Sequence, residues 1–131
     1  MSETEPQRIL VIEDEPQTAS FLQRQFEEVG FEVQTASKGA AALDMVEAQA
    51  PNLVILDLLL PDISGYRLCE MLRRLYNHLR LPIVILTGVE QCTEELRHQV
   101  SGADAYFRKP CDPETLLRVV CALLNVSPET S

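Results

Sequence analysis

Five short apolar runs, each followed by a stretch of helical length, constrain this chain more than any other feature of its sequence. The runs lie at 9–12, 31–35, 53–56, 83–86 and, more weakly, 105–107. The first, third and fourth are nearly continuous Val, Ile and Leu, the composition of parallel strands covered on both faces. The stretches between them carry apolar residues at helical spacing. Ala19, Leu22, Phe26 and Val29 share one stripe, and Gly30 is placed to stop that helix. Leu43, Val46 and Ala50 mark the second helix, and Leu68, Leu72 and Leu75 the third. The fourth, at about 93–100, is short and mostly polar, anchored by Leu96 and Val100. The fifth has Asp112 as its cap, Pro113 in its first position, and Leu116, Val120 and Leu123 as its stripe. Five β–α units in series predict an open, doubly wound α/β sheet with helices on both faces. Residues 1–7 read as a flexible N-terminus, 8–125 as one domain and 126–131 as a C-terminal tail.

A length of 131 residues suits one compact domain, and a hydrophobic content of 46% supplies its core. The formal charge of -9 argues against the domain gripping nucleic acid, because phosphate backbones need a basic footprint. Met1 to Gln7 are polar, and no apolar run approaches the roughly 20 residues needed to cross a bilayer. Cys69, Cys92, Cys111 and Cys121 form no CxxC pair, so zinc and thioredoxin-like redox chemistry are not suggested. Reduced thiols in a cytoplasmic protein are the simplest account.

In an open α/β sheet, ligands bind outside the carboxyl ends of the strands. After the first run come Glu13, Asp14 and Glu15; after the third, Asp57. The fourth run leads to Thr87, and the fifth to Lys109 and Pro110. Several acids, one hydroxyl and one ammonium therefore collect on one edge. Paired carboxylates suit Mg²⁺, which is held by one or two protein carboxylates together with phosphate oxygens. A further carboxylate beside the metal can form an aspartyl-phosphate. A lysine and a hydroxyl can supply the charge stabilisation that phosphoryl transfer needs. No Gly-rich loop follows the first run, which disfavours a Rossmann or P-loop nucleotide site.

Four motifs fall in order at the strand ends: Ile-Glu-Asp-Glu at 12–15, Leu-Asp-Leu-Leu-Leu-Pro-Asp-Ile-Ser-Gly at 56–65, Leu-Thr-Gly at 86–88, and Gly-Ala-Asp-Ala-Tyr-Phe-Arg-Lys-Pro at 102–110. With them the chain resembles the response-regulator receiver domains of two-component signalling over about residues 8–125. The resemblance implies a flavodoxin-like, chemotaxis-regulator-like sheet in strand order 2-1-3-4-5. It implies that Asp57 takes a phosphoryl group from a sensor histidine kinase or phosphotransfer protein. Mg²⁺ is then held by Glu13, Asp14, Asp57 and the backbone carbonyl of Leu59. Thr87 corresponds to the hydroxyl that bonds the phosphoryl group, Lys109 to the family lysine, and Pro110 to the residue after a cis peptide bond. Tyr106 matches the aromatic switch, and Pro61 and Gly65 the turn after the acceptor strand. Output is implied through the fourth helix, fifth strand and fifth helix, onto an output protein or effector domain. Direct contact with nucleic acid or membrane is not implied, nor is enzymatic activity beyond self-phosphorylation and slow autodephosphorylation.

Plainer roles exist for single residues. Glu13 or Asp14 could cap the first helix, Glu15 reads as a solvated charge, and Tyr106 could be only a core aromatic. His78 and His98 read as surface residues, and the arginines form no tight run. Gly88, Ala105 and Cys111 depart from commoner residues of the family, which bears on output more than on phosphorylation. A metal-dependent phosphatase needs a second acid two residues after its nucleophile, and that position is Leu59. A phosphorylation-independent interaction module has no need of the intact set of Asp57, Thr87 and Lys109.

Overall fold

The computed structural model describes residues 6–76, 80–88 and 102–126. Five strands, β1 (Arg8–Ile12), β2 (Glu32–Ala36), β3 (Leu53–Leu56), β4 (Ile83–Thr87) and β5 (Ala105–Arg108), form one parallel sheet in the order β2-β1-β3-β4-β5. This is the flavodoxin-like order expected. The described helices are α1 (Pro16–Glu28), α2 (Gly39–Ala48), α3 (Gly65–Leu75) and α4 (Pro113–Leu124), the last being the fifth helix read from the sequence. The stretch at 93–100 read as a fourth helix, with His78, Cys92 and His98, lies outside the described residues.

Strand alternation divides the core in two. Leu10, Ile12, Val54, Leu56, Ile83 and Ile85 face Ala42 and Val46 of α2 and Leu68, Cys69 and Leu72 of α3. Ile9, Val11, Leu53, Ile55, Val84 and Leu86 face Leu22 and Phe26 of α1 and Leu116, Val120 and Cys121 of α4. Every residue of β3 and β4 is buried, because neighbouring strands and both helical layers cover them. Edge strands β2 and β5 are only partly covered, and their apolar patterns are correspondingly weaker.

Local signals end the helices. The Gly30 amide bonds the Glu27 carbonyl at 3.1 Å and the Phe31 amide bonds Phe26 at 3.1 Å, with Gly30 at φ 103°. This is a Schellman closure, and its accompanying apolar contact is the edge-to-face pair Phe26–Phe31, with ring centroids 6.0 Å apart. The same closure ends α4, with Asn125 in the left-handed region at φ 59°. Asp112 caps α4 as expected, accepting from the Thr115 amide at 3.2 Å, with Pro113 following it.

Three local readings need correction. The cap position of α1 falls on Glu15 rather than Glu13 or Asp14, and the Glu15 side chain accepts from the Thr18 hydroxyl at 2.7 Å. The α2 helix stops at Ala48, before Ala50. On α3 the third buried side chain is Cys69, while Leu75 is 53% exposed, because its last turn passes beyond the sheet face that Leu68 and Leu72 cover.

The start of α3 packs against the end of β3 at backbone distance. The Gly65 amide donates to the Leu58 carbonyl at 2.9 Å. A Cβ on residue 65 stands 2.4 Å from the Leu58 Cα and 2.7 Å from the Asp57 carbonyl oxygen. Those atoms are main chain and cannot swing aside. Gly65→Ala should therefore destabilise the fold by about 1–3 kcal/mol through overpacking, measured by urea unfolding. Unchanged stability would mean that this approach is looser than described.

Candidate functional site

Parallel strands bring all their carboxyl ends to one edge, and the order reverses between β1 and β3, where a crevice opens. In register, Ile12 pairs with Leu56 and Leu56 with Ile85, so Glu13 and Asp57 leave adjacent strands side by side. The main chain is fastened there: the Glu13 amide bonds the Ala36 carbonyl at 2.9 Å, and the Asp57 amide bonds Ile12 at 3.0 Å. Thr87 ends β4, and its carbonyl accepts from the Lys109 amide at 2.7 Å, which places the lysine just beyond the end of β5.

Lys109 Nζ lies 2.8 Å from Glu13 Oε1 and 3.2 Å from Asp57 Oδ2. The two acids are 4% and 6% exposed, so one ammonium serves two nearly buried carboxylates. Their other oxygens meet backbone amides: Glu13 Oε2 accepts from Glu15 at 3.1 Å, and Asp57 Oδ1 from Leu59 at 3.2 Å. The peptide bond between Lys109 and Pro110 is cis, as expected. Thr87 is 1% exposed, and its hydroxyl has no hydrogen-bond partner among the described residues. Tyr106 sits on β5 opposite Ile85, partly buried against the core. Asp14 is exposed beside the buried Glu13, and the Leu59 side chain points to solvent.

Burial pushes the Glu13 carboxyl above its ordinary value of 4.5. Hydrogen bonds from Lys109 and the Glu15 amide pull it down, while the nearby Asp57 charge adds to the rise. For Lys109 the order of influence is the same but the outcome differs. Burial pulls the ammonium down, and the bond to Glu13 with the charges of both acids outweighs it, leaving Lys109 above its ordinary 10.5. The edge thus holds more negative charge than one lysine offsets.

Hard oxygen donors with a surplus of negative charge fit Mg²⁺, which keeps several waters and takes few protein ligands. Among the described residues no three His, Cys, Asp or Glu side chains gather closely enough to enclose a metal ion. The donors at hand are the Glu13 and Asp57 carboxylates and the backbone of the 57–65 loop, with Asp14 at the rim. Beside Lys109 a groove of about 470 Å³ runs between α1 and α4, lined by Phe21, Leu22, Leu86, Pro110, Cys111 and Leu116. The described cysteines, Cys69, Cys111 and Cys121, are free, and burial raises all three thiols, Cys69 to about 11.

One contact escaped the sequence reading. Asp62, in the loop after Asp57, receives the Gly39 amide at 2.8 Å and the Ala40 amide at 3.0 Å. Its place after Pro61 signals a turn, but nothing in the sequence links it to the start of α2.

The family described as "Response regulator receiver domain" matches residues 9–121. The chain is 36% identical over 118 residues to the DNA-binding dual master transcriptional regulator RpaA of Synechocystis, covering 90% of this chain and 49% of that protein. It is 39% identical over 123 residues to the phosphate regulon transcriptional regulatory protein PhoB of Rhizobium meliloti, covering 93% and 54%. The chain therefore spans about half the length of these curated relatives. A response regulator receiver domain protein of Methanospirillum hungatei superposes with a TM-score of 0.85 at 29% identity, covering 92% of this chain and 94% of that one. Among the described residues no helix is long and apolar enough to cross a membrane.

The charge balance can be tested directly. The folded chain holds the Glu13 proton more tightly than the unfolded chain does. Its contribution to stability is therefore full below about 4.5 and is lost as pH rises through the raised folded value. Lys109, also raised, stabilises up to its ordinary 10.5 and loses that contribution as pH climbs through its folded value. Lys109→Met should cost about 3 kcal/mol at neutral pH, since it leaves two nearly buried anions unpaired. The loss should shrink as pH falls through the Glu13 titration. Carboxyl-detected NMR should place the Glu13 midpoint above 4.5, and higher still in Lys109→Met. A midpoint that does not rise in the variant would show that Lys109 does not govern this acid.

Proposed function

The chain belongs to the response-regulator receiver domain family, and from that premise we propose that Asp57 is the residue that accepts the phosphoryl group. The observation that carries the reading is the Asp57 carboxylate itself. It is nearly buried at the end of β3, with one oxygen on the Leu59 amide and the other on the Lys109 ammonium, beside Glu13. In the proposed step an Asp57 oxygen attacks the phosphorus of a phosphohistidine. The P–N bond breaks, its electron pair stays on the imidazole nitrogen, and an aspartyl-phosphate is left. Lys109 then turns from carboxylate to phosphoryl oxygen as counter-charge, and the Thr87 hydroxyl, without a partner among the described residues, donates to a second oxygen.

Glu13, Asp14, Asp57 and the Leu59 carbonyl would hold Mg²⁺, which would supply charge neutralisation of the transferring group when bound. The donor is a sensor histidine kinase or phosphotransfer protein acting in the cytoplasm. Output passes to a partner protein or effector domain through the surface that includes β5 and α4. A charge of -9 argues against direct contact of these 131 residues with nucleic acid. The named relatives are transcriptional regulators, and beyond self-phosphorylation and its slow reversal we assign no enzymatic activity.

Acetyl phosphate with Mg²⁺ should add one phosphoryl group to the intact protein, seen as a mass increase, and omitting Mg²⁺ or using Asp57→Asn should abolish it. Equal labelling of the Asn variant would move the acceptor elsewhere.

Thr87 and Tyr106 are the proposed read-out pair, lying on adjacent strands near the site. Phosphorylation need only bias two existing states, so a few kcal/mol of differential binding suffices. With a beryllofluoride mimic, amide NMR shifts should change through 102–110, and Thr87→Ala should shrink those changes. Shifts restricted to the residues touching the mimic would rule out this route.

A further inference from the structure

We propose that Asp62 is a positioning residue for the acid site: its carboxylate ties the loop after Asp57 to the start of α2 and so holds the Leu59 backbone in place. The proposal rests on the reading of Asp57 and its cation given above. The α2 helix provides no cap of its own. Its cap position is Lys38, whose side chain makes no capping bond, and its first turn carries no acid. Asp62 supplies both acceptors from a loop 23 residues further on, Oδ1 to the Gly39 amide and Oδ2 to the Ala40 amide. Those two amides hold its carboxyl below the ordinary 3.8, as expected of an anion at the positive end of a helix.

The tie is close as well as polar. A Cβ on residue 39 would lie 2.0 Å from Ile63 Cγ2, so any larger residue there would have to displace the Ile63 side chain from the helix start. The same loop begins with the Leu59 amide on Asp57 Oδ1 and ends with the Gly65 amide on the Leu58 carbonyl. Fastened at Asp57, at Asp62 and at Gly65, the segment has little freedom to move the Leu59 carbonyl. Groups that orient a metal ligand without touching the metal act in this way, and losing one weakens binding by roughly 10-fold or more.

A cap alone could explain the contact, so the test separates capping from positioning. Asp62→Ala removes both. Adding Lys38→Ser returns a cap to α2 from its own chain, and the double variant keeps the parent net charge. Three quantities are read on the whole chain: melting temperature without metal, affinity for Mg²⁺ alone, and hydrogen exchange at the Leu59 amide. Asp62→Ala should lower the melting temperature, weaken Mg²⁺ binding roughly 10-fold and speed exchange at Leu59. Lys38→Ser should restore the melting temperature and neither of the others. If it restores all three, or if Asp62→Ala leaves Mg²⁺ affinity and Leu59 exchange unchanged, Asp62 only caps a helix. Should the parent protein bind no Mg²⁺, the cation reading fails on its own. Leu59 exchange then decides: acceleration that recapping leaves in place sustains the positioning role, and unchanged exchange overturns it.

Discussion

A single ammonium between two nearly buried carboxylates organises the working edge of this protein. Like charges a few ångströms apart near a protein surface repel by roughly a few kcal/mol, so a counter-charge between Glu13 and Asp57 stabilises their placement side by side. Lys109 provides it from β5, two strands away from β3, and the position of that strand end is therefore coupled to the position of Asp57. Burial, with a smaller push from the Asp57 charge, still leaves Glu13 holding its proton more tightly than an exposed glutamate does.

Backbone approach matters as much as charge. Gly65 lets α3 start against the carbonyl of Asp57, and Gly39 lets the 57–65 loop lie on the first turn of α2. At Gly65 a single methyl group would press on main chain, and at Gly39 on the Ile63 side chain, so the acid site and the two helices that flank its loop are closely packed. That makes the loop a poor place for slack and a good place to hold a carboxylate and a carbonyl in fixed relation.

The strands and helices were largely legible because their signals are local or periodic. The continuous apolar runs of β1, β3 and β4 follow from burial on both faces, and the Asp112-Pro113 cap and the Gly30 stop are written in neighbouring residues. Two of the misreadings share a cause. Leu75 and Ala50 continue an apolar period past the point where a facing layer exists, and a period in sequence does not report where the sheet ends. The cap of α1 was displaced to Glu15 because Glu13 turns inward to the lysine, a choice made by a residue almost one hundred positions away.

The sequence by itself determined the parallel α/β architecture and which chemical groups stand at the strand ends. Apolar patterning and the βαβ rule leave few other arrangements for five such units. It also carried the family's motifs in order, which is why Asp57, Thr87 and Lys109 could be singled out without coordinates. Only the tertiary structure decided how those groups pair. Lys109 bridges Glu13 and Asp57, the buried Thr87 hydroxyl has no partner among the described residues, and Asp62 caps a helix that precedes it in the chain. Such contacts depend on distances of a few ångströms between segments far apart in the chain. Those distances are set by packing, and no local pattern of residues encodes them.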